Sequence, residues 1–327
     1  MNNKSKLFKI NNNLLSINLE EDTMYKNGFQ LGLLTKNLLN KNFYSEVKEI
    51  LWNKIKNNKS NLIVKIIENR IKTWINSLKN EFKISIQDII GFSDALEIDF
   101  NLVLEINILV EVIDYMCTLL GVISEENSWN LRILDLDNDF INIVKKYKLP
   151  LVIISYNQIE FKYIGFLGFF NAHTTISGKK IISTFSWNKL ETRIFLKNEI
   201  PPIFNLRYAI LEVKEVDKIY EYLSKKNINY DGYVMFSSKE LNLLYDFDKV
   251  RNNSKIKSEG HLIISDFSFN ISYKMIEFIE NDYKNIPSDN RCFGLIYDFV
   301  NEEMYLNFSL NNNHNFEKIN LNLVNKN

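Results

Sequence analysis

The chain has 327 residues, ample for one large domain or for a core with an appended subdomain. Lysine plus arginine and aspartate plus glutamate number 40 each, so the net charge is zero and the basic face of a general nucleic-acid binder is excluded. Two cysteines with no Cys-x-x-Cys pair exclude a disulfide framework, and no apolar run reaches the length of about 18 residues that reads as a membrane span.

Residues 1–20 contain no long apolar run after a basic start, so no signal peptide is expected, and a cytoplasmic, reducing location is the expectation. The same segment reads as an irregular lead-in or a short strand around Leu14-Leu15-Ser16-Ile17. From 25 to 113 the chain reads as helical. Val47, Ile50, Leu51 and Ile55 follow the three-to-four spacing of an amphipathic helix, and Ile63, Ile66, Ile67, Ile71, Trp74, Ile75 and Leu78 repeat it. Gly28 and Gly32, four apart, suit a helix that approaches a neighbour closely, and Ser85-x-x-Asp88 resembles a capping box.

After residue 116 the texture changes. Residues 119–123 and 131–136 read as two strands, 139–147 as a helix closed by Pro150, and 151–156, 160–166 and 181–187 as strands rich in Ile, Phe and Tyr. Further on, 213–223 reads as a helix, 233–236 with 241–245 as a hairpin, 261–265 as a strand, 273–280 as a helix, and 294–298 with 304–308 as a closing hairpin. Strands on both sides of helices predict an α+β protein of packed sheets with helices outside.

The stretch with chemical meaning begins at Cys117. Cys117-Thr118 opens a strand, Ser124-Glu125-Glu126-Asn127-Ser128 makes a polar turn, and the return strand ends in Arg132-x-x-Asp135, eighteen positions after the cysteine. Were the chain cut before Cys117, its thiol would sit beside its own α-amine. An amine with a pKa of about 7.7–8.0 is substantially neutral near pH 7 and can serve as the base. The alternative for Cys117 is a small buried hydrophobe. For Arg132 and Asp135 it is an ordinary strand ion pair of little energy.

This segment resembles the start of the catalytic chain of N-terminal-nucleophile (Ntn) cysteine hydrolases, in particular the acid ceramidase and N-acylethanolamine acid amidase group and the penicillin acyltransferase group. The matching residues are Cys117-Thr118 and Arg132-x-x-Asp135. Weaker matches follow in the same order: Gly165-Phe166-Leu167-Gly168, Pro202-Ile203-Phe204-Asn205-Leu206-Arg207, Gly260-His261-Leu262, and Ser288-Asp289-Asn290-Arg291. Gly28 and Gly32 match a further feature of the acyltransferase relatives.

The resemblance implies a four-layer αββα sandwich, with residues 1–116 as a helical N-terminal region and 117–327 as the catalytic domain. It implies self-cleavage at Met116–Cys117 that frees residues 1–116 as a separate chain. It also implies turnover of a linear amide or thioester of a small N-acylated compound through an acyl-Cys117 intermediate, by hydrolysis or by transfer to an amine. Cys117 is then the nucleophile, with Arg132 and Asp135 orienting the amine and the substrate. Arg291 is a candidate substrate clamp, and Asp266 or Asn188 stands near the oxyanion.

Three positions depart from the relatives. Met116 precedes the nucleophile where glycine or another residue is usual, Asp266 stands where an asparagine donates to the oxyanion, and Asn188 falls where the ceramidase group has glutamate. Those departures keep open a catalytically degenerate relative that binds an acyl ligand or a partner; an unrelated helical scaffold is the third reading. The partners implied are a small N-acyl substrate and an acyl thioester donor, with no cofactor. His173, His261 and His314 share no metal spacing, although His173 could line a pocket. Asp137 and Asp139 read as solvated and Cys292 as buried structure. Phe166, Phe169 and Phe170 suit either an acyl-chain pocket or plain core packing.

Overall fold

The computed structural model describes residues 5–112, 116–135, 138–159, 161–170, 174–177, 180–187, 200–213, 218–219, 222, 232–246, 254–256, 260–264, 274–283, 291–308 and 315–319. In chain order these form strands β1 (Lys6–Lys9) and β2 (Leu14–Leu19), then helices α1 (Met24–Thr35), α2 (Lys41–Asn58), α3 (Asn61–Asn80), α4 (Gln87–Leu96) and α5 (Phe100–Val112). The hairpin β3 (Met116–Ile123) and β4 (Ser128–Asp135) follows, then α6 (Asn138–Tyr147), β5 (Leu151–Tyr156), β6 (Phe161–Phe166), β7 (Thr174–Ser177) and β8 (Lys180–Trp187). Helix α7 (Pro202–Val213) precedes β9 (Gly232–Ser237), β10 (Asn242–Asp246), β11 (Ser254–Ile256) and β12 (Gly260–Ile264). Met275–Glu277 is helical and continues as a π-helical stretch, Phe278–Asp282, before β13 (Arg291–Asp298), β14 (Glu303–Phe308) and β15 (Glu317–Ile319). The class is α+β. The chain divides into two compact units, one of Met1–Ile113, Ile143–Ala172 and Lys189–Tyr230, the other of Asp114–Asn142, His173–Asn188 and Asp231–Asn327.

In the first unit the helices begin where side chains can take up the orphan amides of a first turn. Thr23, Asn40 and Ser60 each accept from the backbone N–H three residues on, at 3.3, 3.0 and 3.5 Å. Their apolar stripes face inward: Val47, Leu51 and Ile55 on α2, and Ile67, Ile71, Trp74 and Leu78 on α3, are all buried. Glycine decides how α1 meets α4. A Cβ at Gly28 would overlap the backbone carbonyl of Asp88, and one at Gly32 would come within 2.6 Å of the Ala95 Cβ. Gly91 approaches the Tyr25 carbonyl in the same way from α4. Gly28→Ala is therefore expected to lower unfolding free energy by about 1–3 kcal/mol through overpacking, read by urea denaturation, with Leu33→Ala on the exposed side of α1 as a near-neutral control.

Beneath these helices β1 pairs antiparallel with β2, β2 parallel with β5, and β5 antiparallel with β6. The parallel pair matches Leu14 with Leu151 through to Leu19 with Tyr156, so the N-terminal segment supplies two strands as well as helices. Lead-in residues that read as weakly alternating are thus a fully buried strand.

In the second unit the order is β12-β3-β4-β13-β14-β15, so β3 and β4 are both interior strands. One face of this sheet carries Leu120, Val122, Trp129, Leu131, Ile133 and Ile296, packed on Met275, Phe278 and Tyr283 of the 275–283 segment. The other face meets the strands β7 to β10, through contacts of β3 with β8, β9 and β10 and of β12 with β10. From helix inward, this unit has three layers: helical segment, sheet, strands.

One expectation is corrected and another is extended. Ser85-x-x-Asp88 is no capping box: Ser85 lies inside a 3-10 turn, Lys83–Ile86, bonding the Phe82 carbonyl at 2.7 Å, and Asp88 is fully buried. Helix α7, Pro202–Val213, precedes the helix expected over 213–223, of which residues 213, 218, 219 and 222 are helical and the others lie outside the described residues.

Candidate active site

The β3–β4 hairpin is closed by a turn in which the Ser124 amide donates to the Asn127 carbonyl at 2.7 Å and the Asn127 amide to the Ser124 hydroxyl at 3.0 Å. Its register sets Met116 opposite Asp135, Cys117 opposite Leu134 and Leu119 opposite Arg132. Alternation along a strand then puts positions 117, 119 and 121 of β3 on one face with 128, 130, 132 and 134 of β4. That face is directed at β7–β10, the face opposite to the Trp129 core.

The shared face is polar along β4. Arg132 is fully buried, its guanidinium donating to the Thr174 hydroxyl and lying 5.8 Å from the Phe293 ring centroid. Asn130 donates to the Ser237 hydroxyl at 2.9 Å and to the Met235 sulfur at 3.2 Å, and Ser128 donates to the Ser238 carbonyl at 3.3 Å. Asn242 is fully buried against Gly121, where any Cβ would come within 2.7 Å of its amide carbon. An arginine with no exposure is not an ordinary surface ion pair. Such burial is tolerated only where hydrogen bonds and π contacts offset desolvation.

At the open end of the hairpin the register brings three further positions together. Asp135 pairs with Met116 on one side and with Arg291 on the other, and the ladder bulges between Arg291 and Phe293. Bulges re-aim side chains beside functional sites. Cys117 is thus two register steps from Arg132 on the same face, whereas Asp135 and Arg291, paired with each other at the same end of the sheet, fall by alternation on the opposite face, that of Trp129. On the far side, β12 ends with Ile264 opposite Leu119, two residues before Asp266 in sequence, and β8 ends at Trp187, next to Asn188. Asp266 and Asn188 themselves, with His173, His314 and Asp137, lie outside the described residues. Asp139 is exposed on α6.

The three phenylalanines are core. Phe169 meets Phe43 edge-on at 6.2 Å between centroids and Phe170 meets Phe92 at 5.0 Å. Both belong to a turn held by the buried side chains of Asn107, which accepts from the Phe170 amide at 2.6 Å, and Tyr44, which donates to the Gly168 carbonyl at 3.4 Å.

Sequence reasoning passed over a second polar centre, inside the first unit. Asp88 on α4 accepts from the Tyr156 hydroxyl at 2.8 Å and from Arg207 on α7, which also donates to the Phe170 carbonyl at 2.8 Å. All three side chains are buried. Burial, then the Asp88 carboxylate, pushes the Tyr156 phenol well above its ordinary value, so it stays a hydrogen-bond donor. Burial works against the Arg207 charge, but Asp88 and Tyr156 outweigh it and hold the guanidinium above its ordinary value. The available signal was an arginine inside the apolar helix Ile203-Phe204-x-Leu206-Arg207-x-Ala209-Ile210.

Among the described residues no helix is long and apolar enough to cross a membrane. Comparison with protein-family models finds no matching family, and comparison with curated proteins finds no match.

Proposed function

We propose that the protein is an autoprocessing N-terminal cysteine amidohydrolase or acyltransferase with an αββα sandwich. The observation that carries the reading is Arg132: fully buried on the face of the hairpin that holds position 117, with Asp135 and Arg291 gathered in register at the Met116–Cys117 end. A buried cation beside a cysteine favours the thiolate and steadies negative charge forming on a carbonyl.

In the precursor the Cys117 sulfur attacks the Met116 carbonyl. The N–C bond breaks as the S–C bond forms, the proton moves from sulfur to the departing nitrogen, and water hydrolyses the thioester, leaving the Met116 carboxylate and the Cys117 amine. In the mature form the amine takes the thiol proton, the sulfur attacks an amide or thioester carbonyl, and the protonated amine delivers that proton to the leaving group. Water then gives hydrolysis and an amine gives acyl transfer. Asp135, in register with Met116, is the group to hold the new ammonium; Arg291 clamps the substrate; the side chains at 266 and 188 assist backbone N–H groups at the oxyanion.

The β2–β5 pairing adds a consequence. Residues 1–116 contribute a strand bonded along six positions to a strand of 117–327, so cleavage is expected to leave the two pieces associated. Intact mass under denaturing conditions is expected to give fragments 1–116 and 117–327, while native gel filtration gives one peak containing both. An uncut chain whose Cys117 does not react with iodoacetamide would instead favour the degenerate, ligand-binding alternative suggested by Asp266.

A further inference from the structure

A different part of the molecule, independent of Cys117, carries a site that the proposed chemistry does not use. Four strands of the first unit place Lys6, Asn18, Ser155 and Lys162 on a single rung: Lys6 pairs with Asn18, Asn18 with Ser155, and Ser155 with Lys162. Neighbours across a rung share a face, and Ser16, two residues before Asn18, shares it too. The opposite face of these strands carries Tyr156 and packs toward α4.

Three of these side chains end in atoms with no hydrogen-bond partner although they are almost wholly buried. They are the Ser16 hydroxyl (1% exposed), the Asn18 carbonyl oxygen (6%) and the Ser155 hydroxyl (0%). A buried polar atom left unserved is destabilising, so a cluster of them on adjacent positions calls for an occupant. At one end the rung opens to Lys162, half-buried, where burial holds the amine below the ordinary lysine range. At the other it reaches the exposed Lys6. Glu20, next along that face beyond Asn18, accepts from the Asn157 side chain.

We propose that this rung binds a small organic carboxylate carrying an O–H or N–H beside the carboxyl group. The chemistry follows from the donor set. Lys162 and the Ser155 hydroxyl donate to a carboxylate, a charge-assisted arrangement stronger than neutral bonding. The open oxygen of Asn18 only accepts, so the ligand must bring a donor, and Ser16 can serve either role. A bare apolar acyl chain satisfies none of them.

Glycolate is the probe, with acetate as the analogue lacking the hydroxyl, titrated against the full-length protein by calorimetry and by thermal shift. Glycolate is expected to bind saturably and more tightly than acetate. Lys162→Met and Ser155→Ala are each expected to weaken it by about 10-fold, the scale of one lost charge-assisted bond. Cys117→Ala is expected to bind as the natural chain does, which separates this site from the proposed catalysis. Ser155→Ala should fold normally and melt in plain buffer at the same temperature or higher, because it removes a hydroxyl without a partner. The proposal is overturned by three results: no saturable glycolate binding, binding that both variants leave intact (buried water then serves the rung), or a marked loss of stability in Ser155→Ala without ligand.

Discussion

Cys117→Ala is expected to leave a single uncut chain of 327 residues and to lower turnover by about 10⁴-fold or more, the scale seen when a covalent nucleophile is removed. Both effects come from one atom, because the sulfur that opens the Met116–Cys117 bond is the one that later carries the acyl group. Intact mass reads the first effect and release of a chromogenic amine from an N-acyl anilide reads the second. A Cys117→Ala chain still cut between 116 and 117 would sink the scheme. Arg132→Met is the companion variant: without the guanidinium that lies at Thr174 and Phe293, loss of turnover is expected to exceed loss of folded protein. Arg132→Lys is expected to recover little, since an ammonium replaces neither the planar stack nor the fixed fork of donors.

What the sequence disclosed followed the local patterns. The β3–β4 hairpin was legible because apolar alternation and a polar turn occur within twenty residues, and Gly28 with Gly32 suited a close helix contact whose partner, α4, only the structure names. What it hid was non-local. Asp88 mimicked a helix cap because Ser85 stands three residues before it, while its actual partner is 119 positions away on α7. Short strands such as β7, β11 and β15, three or four residues each, carry too little alternation to be read. Arg132 could be picked out by spacing, but not its burial, which depends on β7 and β13 closing over it. The polar rung from Lys6 to Lys162 is a property of pairing register, invisible until four strands are laid side by side.

Arg207→Met is expected to cost about 3–5 kcal/mol of stability, because it leaves the Asp88 carboxylate buried without its cation. Asp88→Leu should cost a similar amount by stranding the guanidinium. The double variant, Asp88→Leu with Arg207→Met, is expected to regain much of the loss: two apolar side chains need no partners, and what is given up is the bonding of the pair to the Tyr156 hydroxyl and the Phe170 carbonyl. Tyr156→Phe removes the bond to the Asp88 carboxylate and is expected to cost about 1.5–3 kcal/mol. Urea unfolding in the Cys117→Ala background keeps every variant a single chain, so the cycle compares like with like. If Arg207→Met lies within about 0.5 kcal/mol of its parent, the cluster is not what binds α4, β5 and α7 together. A large single-variant loss with recovery in the pair would place the first unit's stability in three residues that no local motif marks.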